Sequence, residues 1–162
     1  MRPVRAAPLA AALALAALVA HAGEGAERKA MSVARGTFDV QLIPQPADED
    51  AAGAALGRLV IDKQFHGDLQ GTSRGQMLAF SSGVEGSAGY VALERVSGTL
   101  EGRSGSFVLQ HSGVMDRGKP RLEVTVVPDS GAGDLAGLAG RMTIEIADGE
   151  HRYVFEYTFG ER

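Results

Sequence analysis

Hydrophobic and polar residues alternate along most of the chain from Ala34 onward, with a period of two residues rather than the 3.6 of a helix. Aromatic residues occupy every second position from Tyr153 to Phe159, and Phe38, Val40 and Leu42 share one face of an earlier stretch. Such alternation is typical of strands with one buried face. It predicts strands over residues 33–43, 56–66, 68–80, 88–101, 105–115, 120–127, 140–147 and 151–159.

Turn-forming pairs separate most of these strands, among them His66-Gly67, Gly102-Arg103, Gly118-Lys119 and Asp148-Gly149. Short connections between consecutive strands predict an all-β fold, an eight-stranded antiparallel meander that closes into a barrel, because closure removes unpaired edges. An open β-sandwich of similar length is the alternative. Only residues 44–57 and 128–140 are long enough for other structure, and a helical turn is expected in the first of them.

The first 22 residues resemble a secretory signal peptide, with two arginines, an apolar core from Ala6 to Ala20, and small residues at Ala20 and Ala22. Cleavage after Ala22 is expected to leave a flexible segment, residues 23–32, and one barrel domain, residues 33–160. An uncleaved N-terminal anchor is the alternative. The expected location is periplasmic or secreted, with no stable membrane anchor after cleavage.

Composition narrows the classes of function. Cleavage of the signal peptide removes two of the 16 Lys and Arg residues, so the mature chain has 14 basic and 20 acidic residues. Nucleic-acid binding is not expected, because the chain has no basic stripe. The absence of cysteine excludes disulfides, and the 22 glycines predict many tight turns or close backbone contacts.

Three stretches resemble a bacterial domain-of-unknown-function family, DUF3224: IDKQFHGDLQGTSRGQML (61–78), GSAGYVALERVSGTLEGRSGSFVLQHSG (86–113) and VVPDSGAGDLAGLAGRM (126–142). The resemblance extends from about Arg35 to Phe159. It implies a barrel similar to those of allene oxide cyclases and dirigent proteins, a calycin-like architecture that holds small hydrophobic molecules in its lumen. Gln76 stands where the resemblance leads us to expect Glu, so no acid role is implied there.

A carboxylate and an imidazole are the candidate catalytic groups. If Gly102-Arg103 forms the tight loop of a hairpin, Glu94 lies directly opposite His111 on the more apolar face of the two strands. Such a pair inside a barrel could exchange a proton as general acid and base. The alternative is a polar pair that satisfies its own hydrogen bonds in the core.

The aromatic and apolar residues expected to line the lumen are candidates for ligand binding: Tyr90, Met115, Phe38, Tyr153, Phe155 and Tyr157. Packing of the core is the alternative for each. We therefore expect an exported barrel that binds a small hydrophobic molecule, with isomerase or cyclase activity as a further hypothesis. The alternative function is a non-catalytic periplasmic interaction module with a filled barrel, which self-associates into a homo-oligomer.

Other motif matches lack the structural context that they need. GTSRG (71–75) matches the nucleophile elbow of hydrolases, but Ser73 lies inside a predicted strand with no helix after it. GAGDLA (131–136) matches a dinucleotide fingerprint without room for the crossover helix, so a one-turn helix capped by Asp134 or a loop over one end of the barrel is expected. His66, Asp68, His111 and His151 lack metal-ligand spacing, so neither a metal nor another cofactor is expected.

Overall fold

The computed structural model describes residues 30–46 and 56–160, which are arranged as strands and turns. The strands are β1 (Ser32–Gln45), β2 (Gly57–Gly67), β3 (Leu69–Ser81), β4 (Ala88–Leu100), β5 (Arg103–Asp116), β6 (Lys119–Val126), β7 (Ala132–Gly133), β8 (Leu138–Ala147) and β9 (Glu150–Phe159). No helix within these ranges is long and apolar enough to cross a membrane. The predicted signal peptide lies outside the described residues.

Eight of the strands close into an antiparallel barrel, as the alternation predicts. When the short strand β7 is left out, each strand pairs with the next one along the chain and β9 pairs with β1, so these eight strands have no free edge. This closure excludes the open sandwich. The seam between β6 and β8 is the weakest, because one residue pair, Thr125 with Arg141, joins these strands.

Two segments differ from the predictions or extend them. Ser32 already belongs to β1, although it was expected to end the flexible segment. The loop of residues 128–140 contains β7, which pairs with the start of β5, and Leu135 from this loop is fully buried. This loop covers one end of the barrel, and hydrogen bonds from the Leu135 and Ala136 amides to the carbonyls of Ala132 and Gly133 form its turn. Most of the first loop, residues 47–55, lies outside the described residues, as does the helical turn expected there.

The β4–β5 hairpin turns one residue earlier than predicted. Its loop is Glu101-Gly102, with φ angles of 46° and 85°, and Leu100 pairs with Arg103. Positive φ at both positions is required by a type I′ turn, whose second position glycine adopts easily. The β5–β6 turn follows the same rule, with Arg117-Gly118 at 46° and 83° instead of Gly118-Lys119.

The lumen is packed at one end, and its apolar side chains are partly exposed at the other. The packed end, which we call the base, holds buried residues that include Phe65, Phe107, Phe155, Tyr157, Leu100 and Leu138. The phenol of Tyr153 on β9 links the base to the turn between β2 and β3. It accepts a hydrogen bond from the Leu69 amide (2.9 Å) and donates one to the His66 carbonyl (3.2 Å).

The opposite end, which we call the mouth, carries apolar side chains that alternation places on the lumen side but that solvent still reaches. They are Leu42, Met115, Leu122 and Ile146, with exposures of 49%, 39%, 41% and 67%. A small buried cluster of Ile61, Met77 and Ala92 lies below the mouth, with Tyr90 and Leu59 packed against it. Apolar surface therefore lines the route from solvent into the barrel.

Candidate functional site

A layer of polar side chains crosses the lumen between the mouth cluster and the base. It consists of Lys63 on β2, Ser73 on β3, Glu94 on β4 and His111 on β5, and all four are buried. Lys63 Nζ lies 2.8 Å from Glu94 Oε2, and His111 Nε2 lies 3.4 Å from the same oxygen. We call these four residues the polar layer.

Neighbouring residues explain how Lys63 and Glu94 meet although β3 lies between their strands. Gly75 stands directly opposite Glu94 on β3, so no side chain separates the carboxylate from β2. The Lys63 ammonium also lies over the ring of Phe38, 4.7 Å from its centroid, in a cation–π contact.

Hydrogen bonding in the polar layer is incomplete. Lys63 and His111 both approach the same oxygen of Glu94, Oε2, and leave Oε1 without a close polar contact. Within the described residues, Glu94 Oε1 and Ser73 Oγ are buried and have no hydrogen-bond partner. Buried polar groups in proteins are nearly always paired, with protein or with ordered water, so this layer has hydrogen-bonding capacity to offer to another molecule.

Charge in the layer favours an ionised Glu94. Burial by itself would raise the pKa of this carboxyl, but the contacts with His111 and with the Lys63 ammonium outweigh burial, and the pKa lies below its ordinary value. Above the layer, burial and the nearby Glu94 charge raise the pKa of the Tyr90 phenol. The site therefore presents a carboxylate, an ammonium and neutral hydroxyl groups to the lumen.

Comparison with known proteins gives the family. The family model described as "Protein of unknown function (DUF3224)" matches residues 34–157, which is most of the chain. The chain is a member of the DUF3224 family.

A solved structure supports the same assignment. A protein of unknown function from the DUF3224 family of Shewanella oneidensis MR-1, determined by crystallography at 1.84 Å, shares 49% sequence identity with this chain. The match covers 82% of this chain and 100% of that chain, with a TM-score of 0.77. No curated protein matches the chain. The implied likeness to allene oxide cyclases stays a prediction.

This DUF3224 barrel brings Glu94 and His111 together, but not as the predicted opposite pair. Because the hairpin loop is Glu101-Gly102, Glu94 pairs with Leu109, and His111 pairs with Ala92. The predicted register is wrong by two residues along β5. A shift of two residues keeps both side chains on the same face, so they lie diagonally and still meet.

The six predicted ligand-lining residues divide between the two ends of the DUF3224 lumen. Tyr90 is half-buried near the mouth, and Met115 lies at the rim. The other four are buried in the base, where they pack against one another and their neighbours: Phe38, Tyr153, Phe155 and Tyr157. A ligand that reaches the polar layer from the mouth would meet Tyr90 and Met115 before any of these four.

Two members of the polar layer were missed by the sequence reasoning. Lys63 occupies an inward position of β2 between Ile61 and Phe65, and a charged residue in such an apolar register is a recognisable signal. Ser73 was considered only as a hydrolase nucleophile, and the structure places it within β3, on the lumen side.

The other two histidines in the described part of the chain lie apart from the polar layer. His66 contacts Asp39 at 3.0 Å on the outer surface, and His151 packs its ring 5.0 Å from that of Phe38. Asp68 accepts a hydrogen bond from the Arg35 amide at 2.7 Å. No group of three or more His, Asp or Glu side chains in residues 30–46 and 56–160 is arranged to hold a metal ion.

Proposed function

We propose that this protein is an exported binding protein for a small, largely apolar molecule that carries one hydroxyl or carbonyl group. The proposal depends on one observation: Glu94 Oε1 and Ser73 Oγ are buried without hydrogen-bond partners inside a lumen whose mouth is apolar. Sites for small molecules typically combine an apolar lining with a few such polar groups. Export is proposed from the signal peptide, residues 1–22.

The chemistry of the polar layer selects the polar group of the ligand. Ionised Glu94 accepts hydrogen bonds, the Lys63 ammonium donates them, and Ser73 Oγ does both. A ligand hydroxyl can donate to Glu94 and accept from Lys63 or Ser73. A ligand carboxylate is disfavoured, because it would be buried beside Glu94.

Entry requires movement at the mouth. Ile61, Met77 and Ala92 cover the polar layer on that side, and Tyr90 packs against them. The flexible side chain of Met77 adapts its shape readily, and Tyr90 is partly exposed to solvent. We therefore expect these two side chains to move when a ligand enters. The base offers no comparable route, because aromatic residues and Leu135 fill it.

Binding is favoured over catalysis by the electrostatics of Glu94. An isomerase or cyclase needs a base or acid whose pKa lies near the working pH. The pKa of Glu94 is shifted in the opposite direction, because the contacts with His111 and Lys63 stabilise its charge. Glu94 is consequently better suited to hold a ligand hydroxyl than to remove a proton from carbon.

Native mass spectrometry of the protein purified from its own cell envelope tests the proposal. We expect a bound molecule of low mass, and we expect Glu94→Gln to reduce its occupancy at least about tenfold while far-ultraviolet circular dichroism stays unchanged, since one lost hydrogen bond to a charged group is worth about 1.5–3 kcal/mol. Glu145→Gln is the matched control, because Glu145 is exposed on the outer face of β8, and it should retain the molecule.

The second candidate is the interaction module with a filled barrel. The tightly packed base and exposed apolar side chains on the outer face, such as Val91 and Leu93, favour it. In that case the purified protein carries no small molecule and forms oligomers, and Glu94→Gln changes stability alone. That outcome would replace the binding proposal.

A further inference from the structure

A second surface with the properties of a binding site lies outside the barrel. A groove of about 860 Å³ crosses the outer face of β3, β4 and β5. Its apolar part is formed by Leu78, Val91 and Leu93, which are 46%, 55% and 55% exposed. Leu78 pairs directly with Val91, and Leu93 follows on the same face, so the three form one continuous patch.

Arginines border this apolar patch. Arg58, Arg74 and Arg95 all line the groove. Arg74 stands directly opposite Arg95 on the neighbouring strand, and like charges in that position repel each other. Arg74 lies 3.2 Å from Asp62, whereas Arg95 donates a long 3.4 Å hydrogen bond to Ser106. Arg95 therefore has no acidic partner within the described residues, in a chain whose net charge is −4.

We propose that this groove binds a free long-chain fatty acid. The carboxylate would lie between Arg74 and Arg95, where it relieves the repulsion of the two guanidinium groups and gives Arg95 an acidic partner of matching geometry. The acyl chain would extend over Leu93 and Val91 towards Leu78. Arg95 and Val91 are four residues apart on β4, which is about 13 Å along the strand.

The volume of the groove and the charge of the protein select a free fatty acid over larger partners. A groove of about 860 Å³ lies within the range that accommodates single small molecules. The net negative charge of the chain disfavours binding to an anionic bilayer. A symmetric dimer through this face would bring the arginines of both copies into one interface, where unpaired charges are costly.

The test uses a fluorescent fatty acid, dansyl-undecanoic acid, titrated with the purified protein. We expect saturable binding of one probe per chain, competition by palmitate, and a dissociation constant raised at least about tenfold in Arg74→Gln/Arg95→Gln, since a charged hydrogen bond is worth about 1.5–3 kcal/mol. Leu93→Ser should also weaken binding, because it removes apolar surface from the groove.

Two controls separate this site from other effects. Arg141→Gln removes an exposed arginine on β8, outside the groove, and should leave the dissociation constant unchanged. Glu145→Gln removes an exposed charge from the outer face of β8, outside the groove, and should also bind the probe normally.

Specific results would overturn the proposal. They are equal weakening by Arg141→Gln, loss of probe binding in Glu94→Gln with normal binding in the arginine double variant, and the absence of saturable probe binding. Sedimentation with phosphatidylglycerol vesicles without uptake of free palmitate would assign the groove to a membrane surface. Dimers that Leu93→Ser dissociates would assign it to a second copy.

Discussion

Lys63→Met is expected to destabilise the barrel far more than the loss of one surface charge would. Lys63 Nζ and Glu94 Oε2 lie 2.8 Å apart, and the two side chains are 6% and 0% exposed. Removal of the lysine leaves a buried carboxylate whose remaining charged contact is the 3.4 Å approach of His111. Breaking a buried ion pair in this way costs about 3–5 kcal/mol, a large part of the stability of a small domain.

A double-mutant cycle in urea measures this coupling directly. Lys63→Met, Glu94→Leu and the double variant are compared with the unmodified chain by equilibrium unfolding. The double variant should be more stable than Lys63→Met, because no lone charge remains in the lumen. We expect an interaction free energy of about 2–3 kcal/mol. The cycle remains informative if Lys63→Met fails to fold, because the double variant should then fold where the single variant does not.

The surface ion pair between Arg141 and Glu156 supplies the comparison. Its atoms are 2.9 Å apart, almost as close as those of Lys63 and Glu94, but the arginine side chain is 73% exposed. Arg141→Gln should therefore cost at most about 1 kcal/mol. Equal costs for Arg141→Gln and Lys63→Met, or a double variant whose cost is the sum of the two single variants, would refute the reasoning that burial sets the strength of the coupling.

Three further predictions use the same structure. The pKa of Glu94 is lower in the folded chain than its ordinary value of 4.5. The ionised carboxylate therefore contributes fully to stability above pH 4.5, and this contribution is lost as the pH falls through the lowered pKa. Urea unfolding of Glu94→Gln should consequently depend less on acid pH than that of the unmodified chain. All three tyrosines have raised pKa values, and burial and the hydrogen bond to Glu101 raise the pKa of Tyr157 to about 12. Alkaline difference spectra of the folded chain should therefore show no tyrosine that ionises at the ordinary value of 10. Gly113→Ala should destabilise the chain by about 1–3 kcal/mol, because the added methyl group would collide with the ring of Tyr90; Gly89→Ala, which meets open space apart from one ordinary contact at 3.7 Å, should change the urea midpoint little.

The sequence predicted the strands and the faces of this barrel well, because both depend on local patterns. A period of two residues identifies a strand and says which side chains share a face, and short turns between consecutive strands restrict the topology to a meander. The inward positions of Ala92, Glu94 and Val96 on β4 follow from this alternation alone, and all three are buried.

Register could not be predicted in the same way, because it depends on which residues form the turn. Alternation is unchanged when one strand slides by two residues past its neighbour, so it distinguishes faces but not partners. The choice between Glu101-Gly102 and Gly102-Arg103 decided whether Glu94 stands opposite His111 or Leu109. The contact of Lys63 with Glu94 crosses β3 and requires two registers, and the pairing of Arg74 with Arg95 requires the register of β3 with β4, so both appear only in the structure.

The buried ion pair itself favours a binding role for the lumen. Replacement of such a pair by apolar residues of similar volume is often neutral or stabilising, so stability does not explain why Lys63 and Glu94 occupy the centre of this barrel. The hydrogen-bonding capacity that Glu94 and Ser73 leave unused can be satisfied from the mouth side, because the base is packed. The double variant of the cycle should therefore be a stable barrel that has lost the small molecule. Retention of that molecule by a double variant without the Lys63 ammonium and the Glu94 carboxylate would separate the polar layer from binding.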